Sequence, residues 1–384
     1  VAYTLRQEAG RLLFDPAAGK QQRHRVCHCG RSLTGNFIQV WRAPNGTAAR
    51  LQGAMMCGSA WTCPICAFRI AGERQRELES ANVAWAKAGG LTYLFTFTFP
   101  HEAGDDLAEL LHAFGQASTK FRNSRTWKKL LHVGNGTAGC LGTVTSTEVT
   151  HGANGWHPHR HMLVFVRRKL DQAEIDALSK EWVGQLLKAG LGDRSKLSDM
   201  LEHALDVRGG EDAAAYITKY GREEMWGLSR EVTADVAKDA KGGQLKPFGL
   251  LRRSVDERET AEERARCAAR FVEFAEAFHG KRLLSWSPGL KEWFGIADAD
   301  DDQIAQSDDP ESDATQPVGT LNADQWKIVL SRNAVAELER YAAEDCLNPE
   351  TGQQDLDDFV DYLSKLPKKS GGWFMAPLRR RFFH

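Results

Sequence analysis

The stretch Trp156-His157-Pro158-His159-Arg160-His161 runs into Met162-Leu163-Val164-Phe165-Val166, and this junction constrains the fold more than any other part of the chain. Five consecutive apolar residues form a run of strand length, suited to the interior of a sheet. Side chains alternate along a strand, so His157, His159 and His161 share one face. Three imidazoles on one face fill a core poorly and hold a metal ion well. The junction therefore predicts an interior strand with metal ligands at its better-exposed end. The bland alternative is a polar strand end with scattered histidines.

The flanking sequence is legible in the same way. Leu91 to Phe99 alternates Thr and Phe and stops at Pro100, a strand signature. Asp105 to Phe121 carries a helical apolar stripe through Leu107, Leu110, Leu111, Phe114 and Phe121. Ala138 to Val149 is a second Thr/Val-rich strand, and Asn154-Gly155 turns it into the histidine strand. Asp171 to Ala189 predicts a helix, His203 to Arg208 a short strand, and Glu211 to about Met225 a further helix. The first six elements make a βαββαβ unit, the split-βαβ arrangement of an antiparallel sheet with helices on one face. The fold class expected is α+β, with a ferredoxin/RRM-like core.

Upstream lies a cysteine-rich segment. Cys27-His28-Cys29-Gly30 is followed by Cys57 and by Cys63-Pro64-Ile65-Cys66. Tetrahedral zinc needs four ligands, which Cys29, Cys57, Cys63 and Cys66 supply; Cys27 or His28 is an alternative to Cys29. Four protein ligands close the coordination sphere, so such a site is structural. The competing reading is a set of buried free thiols. A helix follows from about Ala67 to Lys87, with Arg69, Arg74 and Arg76 on its polar side.

The 384 residues allow two or three domains. The expected division is 1–88 (basic arm, cysteine module and helix), 89–296 (the βαββαβ core and its extension), 297–317 (a flexible acidic linker) and 318–384 (a small helical module). The net charge of −1 hides an asymmetry. Residues 1–80 hold eleven Lys/Arg against five Asp/Glu, whereas residues 298–313 hold eight Asp/Glu and no Lys/Arg. Whole-chain charge thus does not exclude nucleic acid. No apolar run reaches the length of a bilayer span, and a cytoplasmic protein is the simplest expectation.

Two further features converge on the histidines. Glu148 lies on the hairpin partner of the histidine strand, where a carboxylate can join His159 and His161 around a divalent ion with open positions. On the 211–225 helix, Tyr216 and Tyr220 are four apart and share a face, with Lys219 beside them. A tyrosine hydroxyl is a poor general nucleophile at a pKa of about 10, yet it suits a reversible phosphodiester link. A nearby cation lowers that pKa. Standing alone, the pair reads as two core tyrosines.

Taken together, these segments resemble the HUH endonucleases, and within them the replication initiator (Rep) proteins of bacterial rolling-circle plasmids. Phe95-Thr96-Phe97-Thr98-Phe99-Pro100 resembles the first motif of that family. Gly155-Trp156-His157-Pro158-His159-Arg160-His161 resembles the second, and Tyr216-Ile217-Thr218-Lys219-Tyr220 the third. The segment from Cys57 to Cys66 resembles the family's cysteine segment ahead of the nuclease domain. The resemblance spans roughly residues 25–295. Two departures stand out. Tyr216 occupies a position where many single-tyrosine Reps have a glutamate, which brings the motif nearer to the two-tyrosine initiators of isometric DNA phages. Arg160 occupies a position that is usually hydrophobic.

The resemblance implies a metal-dependent strand transferase that nicks and rejoins one strand at an origin through a 5′-phosphotyrosine. His159, His161 and Glu148 would hold Mg²⁺ or Mn²⁺, and Tyr220 or Tyr216 would attack, assisted by Lys219. Alignment with plasmid Reps favours Tyr220 as the initiating nucleophile, while the Tyr-x-x-Lys pattern favours Tyr216. The implied partners are origin DNA, single-stranded at the nick and duplex for recognition, and a separate helicase, since the sequence has no GxxxxGK[ST] loop. The basic N-terminal module and its Arg-bearing helix are the candidates for duplex contacts. An HUH transposase or relaxase with the same chemistry, or a non-enzymatic zinc-containing DNA-binding regulator, are the alternatives.

Overall fold

The computed structural model describes residues 2–19, 24–209, 244–307, 315–346, 348 and 350–368. They fall into two compact units. The first is Val1–Cys27 with Cys57–Gln306, and the second is His28–Met56 with Ser307–His384.

In chain order, helix α1 (Ala2–Leu12) precedes strands β1 (Phe37–Arg42) and β2 (Ala49–Gln52). Helix α2 (Pro64–Lys87), strand β3 (Leu91–Phe97) and helices α3 (Leu107–Arg122) and α4 (Arg125–Leu131) follow. Strands β4 (Gly142–Gly152) and β5 (Gly155–Val166) form a hairpin. Helices α5 (Gln172–Lys188) and α6 (Leu197–His203) then lead to β6 (Leu205–Gly209). Beyond residue 243 come α7 (Pro247–Arg253), α8 (Ala261–Ala277), β7 (Ser285–Trp286), α9 (Leu290–Trp293) and α10 (Asp301–Gln306). The last elements are β8 (Gln316–Asn322), α11 (Ala323–Ser331), α12 (Val335–Glu344) and α13 (Gly352–Lys365).

The first unit is built on a five-stranded sheet in the order β6-β3-β5-β4-β7, antiparallel throughout. The four strands of the βαββαβ unit therefore lie in the order fourth, first, third, second, which is the split-βαβ layout. That layout puts β5 inside the sheet, flanked by β3 and β4. Local sequence explains the ends of these elements. Asp171 and Glu174 form a reciprocal capping box on α5, and the side chain of Asp106 caps α3 through Glu109 N. Gly155 has φ +80° and packs so closely on Glu102 and Ala103 that a Cβ would meet their backbone at 2.8–2.9 Å. Only glycine fits both demands, and this fixes the hairpin turn one residue ahead of Trp156.

The two faces of this sheet are packed differently. Phe97 contacts Phe121 of α3 and Trp182 of α5, so the Phe95/Phe97 face meets those helices. On the other face, Leu94, Val144, Leu163 and Phe165 cluster with Ala71, Leu78, Ala81 and Trp85 of α2. Trp85 and Phe165 are fully buried there, with ring centroids 6.4 Å apart. Fully burying an aromatic side chain of this kind stabilises by roughly 1.5–3 kcal/mol. Residues 284–296 pack into the same cluster through Leu284 and Leu290, with Trp286, Phe294 and Ile296 against it.

The second unit holds a three-stranded antiparallel sheet, β2-β1-β8, with helices α11 to α13. Gln353 of α13 clasps β8, accepting from Thr320 N at 2.8 Å and donating to Thr320 O at 3.0 Å.

Three sequence expectations change. Residues 2–12, read as part of a basic arm, are helical, because Leu5, Ala9 and Leu13 form a buried i, i+4, i+8 stripe that the surrounding charges obscure. Of the 297–317 linker, the described part contains α10 and the start of β8, and Ile304 and Ala305 are buried. Its acids are not merely solvated: Asp301 pairs with Arg74 at 2.7 Å and Asp302 with Arg25 at 2.5 Å. Residues 318–384 are not helical alone, since β8 pairs along β1 from Phe37↔Asn322 to Arg42↔Gln316. A pairing across nearly three hundred residues has no local sequence signal.

Candidate functional site

Four buried cysteines converge. The sulfurs of Cys29, Cys57, Cys63 and Cys66 all lie within 4.8 Å of one another, a set that can hold a metal such as zinc. The local geometry follows from the residues beside them. Gly30 and Gly58 directly follow Cys29 and Cys57 with φ of +69° and +63°, the left-handed turns that glycine allows without strain. Cys63 is the N-cap of α2, Pro64 starts that helix, and Cys66 sits in its first turn. The alternatives to Cys29 are placed elsewhere. The Cys27 thiol donates to Gly10 O at 3.4 Å, at the end of α1, and His28 is exposed.

The histidine face is assembled by register. Across the β4–β5 hairpin, Glu148 stands opposite His159, Ser146 opposite His161 and Thr150 opposite His157. From the other side, Thr96 of β3 stands opposite His161. These residues continue the face that Leu163 and Phe165 present to α2. His161 Nε2 lies 3.8 Å from a Glu148 oxygen, and its Nδ1 is 3.1 Å from Thr96 Oγ1. Two ligands bound at about 2.0–2.2 Å to one ion sit about 3–4 Å apart, so this separation suits a shared cation. A hydrogen bond on the other ring nitrogen is the usual way a ligating histidine is oriented. His159 and His161 are nearly parallel, with centroids 6.3 Å apart. Among the described residues, the four cysteines are the only group of three or more such ligands gathered within 4.8 Å; Glu148, His159 and His161 are less tightly drawn together.

Burial sets the charge state of this face. It pushes the His159 imidazole down to about 3, helped by His157, His161, His101 and Lys246. Burial, with His101 next to it, takes His157 down to about 4. Both rings are therefore neutral near pH 7, the form that offers a nitrogen lone pair. Among the described residues, His157 Nδ1 is buried without a hydrogen-bond partner.

Sequence reading missed several neighbours. His101 stacks on His157 with centroids 4.5 Å apart, and its Nδ1 is 2.9 Å from Asn154 O. The available signal was its place just after the Phe99-Pro100 strand end. Thr150 donates to Gln244 Oε1 at 2.9 Å, and Lys246 lies close enough to act on His159. These come from a distant segment with no motif of its own. Arg160 points to the opposite face, over the Phe114 ring at 4.7 Å and toward Thr147 Oγ1 at 3.3 Å. Its guanidinium lies against an aromatic ring, which accounts for a cation at an otherwise apolar position. Tyr216, Lys219 and Tyr220 fall in 210–243, outside the described residues.

The chain is 29% identical over 364 residues to a protein named "Protein rep" from Streptomyces lividans, an alignment covering 79% of this chain and 78% of that one. The chain is thus similar to a Rep protein along most of its length. A shorter similarity, 34% over 146 residues and a third of each chain, links it to a "Neomycin resistance protein" from Streptomyces cyanogenus. No protein-family model matches the chain, and no solved structure does. No helix among the described residues is long and apolar enough to cross a membrane.

Proposed function

We propose that this chain is a Rep-type rolling-circle replication initiator that nicks and rejoins one DNA strand through a 5′-phosphotyrosine. The observation that carries the reading is the register of β5. It sets Glu148 opposite His159, and His161 next to them on the same face, in a chain related to a Rep protein over most of its length. His159, His161 and Glu148 are the ligands assigned to a divalent ion, Mg²⁺ or Mn²⁺. Bound there, such an ion supplies charge neutralisation at the scissile phosphate. Thr96 orients the His161 ring, and burial keeps His159 neutral for ligation.

Tyr220 or Tyr216 is the nucleophile in this reading. The tyrosine oxygen attacks phosphorus, its proton leaves to a base, and the 3′ oxygen departs to prime synthesis. Lys219 favours the phenolate form of its neighbours. The second tyrosine cuts the regenerated site, and the freed 3′-OH then attacks a phosphotyrosine to reseal the displaced strand. The phosphodiester energy stays in the tyrosyl link throughout. The four cysteines hold a structural zinc, separate from this ion. Origin DNA is the partner, and strand separation comes from another protein.

The test is covalent capture. The full chain is incubated with single-stranded origin oligonucleotides and Mn²⁺, and the products are resolved under denaturing conditions. A protein–DNA adduct is expected, lost in the Tyr216→Phe/Tyr220→Phe double variant. Adduct surviving in that variant removes the assignment to these tyrosines. Binding without adduct on any origin strand favours the zinc-containing regulator.

A further inference from the structure

The arginines of α2 and of the preceding segment, the sequence-level candidates for duplex contacts, are engaged within the chain. Arg74 is buried, with its side chain 8% exposed, and pairs with Glu77 at 2.6 Å and Asp301 at 2.7 Å. Arg76 pairs with Glu73, and Arg69 donates to Ala305 O at 3.1 Å. Arg25 pairs with Asp302 at 2.5 Å, while Lys291 pairs with buried Glu77 at 3.1 Å and also approaches Asp298 at 3.6 Å. One acidic stretch, 298–302, thus supplies three of the five carboxylates involved, the others being Glu73 and Glu77.

These contacts border a cavity of about 1040 Å³ in the first unit. Its cationic lining is Arg25, Arg74, Lys281, Arg282 and Lys291. Five carboxylates offset these five cations, and four of them are Asp298, Asp300, Asp301 and Asp302. Apart from that stretch, only Glu292 is acidic. Lys281 and Arg282 are exposed and form no ion pair with a described residue. Aromatic walls accompany the charge: Trp61 lies against Phe278, with centroids 4.7 Å apart, and Lys291 sits over the Trp286 ring at 5.8 Å. Clustered basic side chains are what track a sugar–phosphate backbone.

The acidic stretch is seated, not draped. Ile304 and Ala305 anchor it, and Asp302 lies so close to Gly58 that a Cβ there would overlap its carboxylate. Its carboxylates stand where anionic oxygens meet Arg25 and Lys291. An internal carboxylate and a DNA phosphate compete for the same cation, since either one satisfies it.

We propose that this groove is a DNA-backbone site in which Asp302 and Asp298 stand in for phosphates at Arg25 and Lys291, and in which Asp300 between them adds to the negative charge that holds down the affinity for DNA. Arg25 exchanges Asp302 for phosphate on binding and Lys291 exchanges Asp298 while keeping Glu77, and Lys281 and Arg282 make the first contacts. The site is distinct from the histidine face, although its assignment to DNA rests on the function proposed above.

The test measures binding of the full chain to a random-sequence duplex by fluorescence anisotropy across a salt series. Asp298, Asp300 and Asp302 are changed together to Asn; Asp301 is kept, so that buried Arg74 retains its partner. Binding at 100 mM salt is expected to tighten at least fivefold. The slope of log affinity on log salt should steepen by about one unit for each cation released to a phosphate, less in magnitude than two in all. Lys281→Gln with Arg282→Gln should weaken the unaltered chain at least threefold. A matched variant, Asp324→Asn/Asp358→Asn/Asp361→Asn, changes net charge equally outside the groove. Melting temperature and zinc content report that each variant is folded.

Equal tightening in the matched variant makes the effect one of net charge and overturns the proposal, as does an Asn triple within twofold of the unaltered chain. If those results come with normal tyrosine-dependent adduct on origin strands, the groove fails and the nicking function stands. A chain that neither binds duplex nor forms adduct removes both.

Discussion

The cysteine cluster and the histidine face are both sets of metal-type ligands, and they differ in how they are held. The cysteines converge from short turns fixed by Gly30, Gly58 and the first turn of α2, and all four are buried. The histidine face is spread along a strand, and its carboxylate comes from the next strand by register. A closed set of thiolates ties chain segments together and belongs to folding. An open face of two imidazoles and a carboxylate leaves room for a substrate and, under the proposed function, serves the chemistry. Stability and activity should therefore respond in opposite ways at the two places.

The largest effect is expected at the cysteines. Cys66→Ser, or a strong chelator, should lower the melting temperature by more than 10 °C, because the binding energy of a metal held by these thiolates is also folding energy. Thermal unfolding with parallel zinc analysis checks this; a full zinc load lost without a change in melting would place the cluster outside the folding core. The converse holds for His161→Ala. It should cut adduct formation at least a hundredfold while shifting stability by only about 1 kcal/mol, the usual scale of a point substitution. A variant that unfolds instead would erase the contrast between the two regions.

A subtler change sharpens it. Thr96→Val removes the hydroxyl beside His161 Nδ1 and keeps the side-chain volume. Manganese affinity should fall about tenfold, in line with other partners of ligating histidines. Titration of adduct yield against Mn²⁺ reads this directly, and an unchanged midpoint denies Thr96 its orienting role.

The smallest effect lies away from both regions and sets the baseline. Arg168 bonds both Glu174 oxygens, at 2.7 and 2.8 Å, and this pairing holds the Glu174 carboxyl below its usual range. A carboxylate with a depressed folded pKa contributes above its unfolded value of about 4.3, and the contribution fades as pH falls through the folded value. Arg168→Ala should cost about 0.5 kcal/mol at pH 7, the scale of an exposed pair, and less as pH drops below 4. Denaturation curves at several pH values test the sign.

Much of this was legible because its signals are local. Alternation along 155–166, the Asn154-Gly155 turn and the helical stripes of α3 and α5 each sit within one element, and the strand order follows from the βαββαβ sequence. Those same patterns put His157, His159 and His161 on one face. The pairing of Cys29 with Cys57, Cys63 and Cys66 was legible from spacing, but the exclusion of Cys27 was not, because it depends on carbonyls at the end of α1.

The sequence by itself determined the antiparallel α+β core, the histidine strand in its interior and the four-cysteine set, since period, turn chemistry and ligand spacing are written over a few residues. Only the tertiary structure decided the rest. It joined β8 to β1, brought His101 and Lys246 to the histidines, turned Arg160 to the other face, and seated the acidic stretch against the arginines of α2. Contacts between segments far apart in the chain depend on which surfaces the packed elements leave facing each other. No window of sequence carries that information.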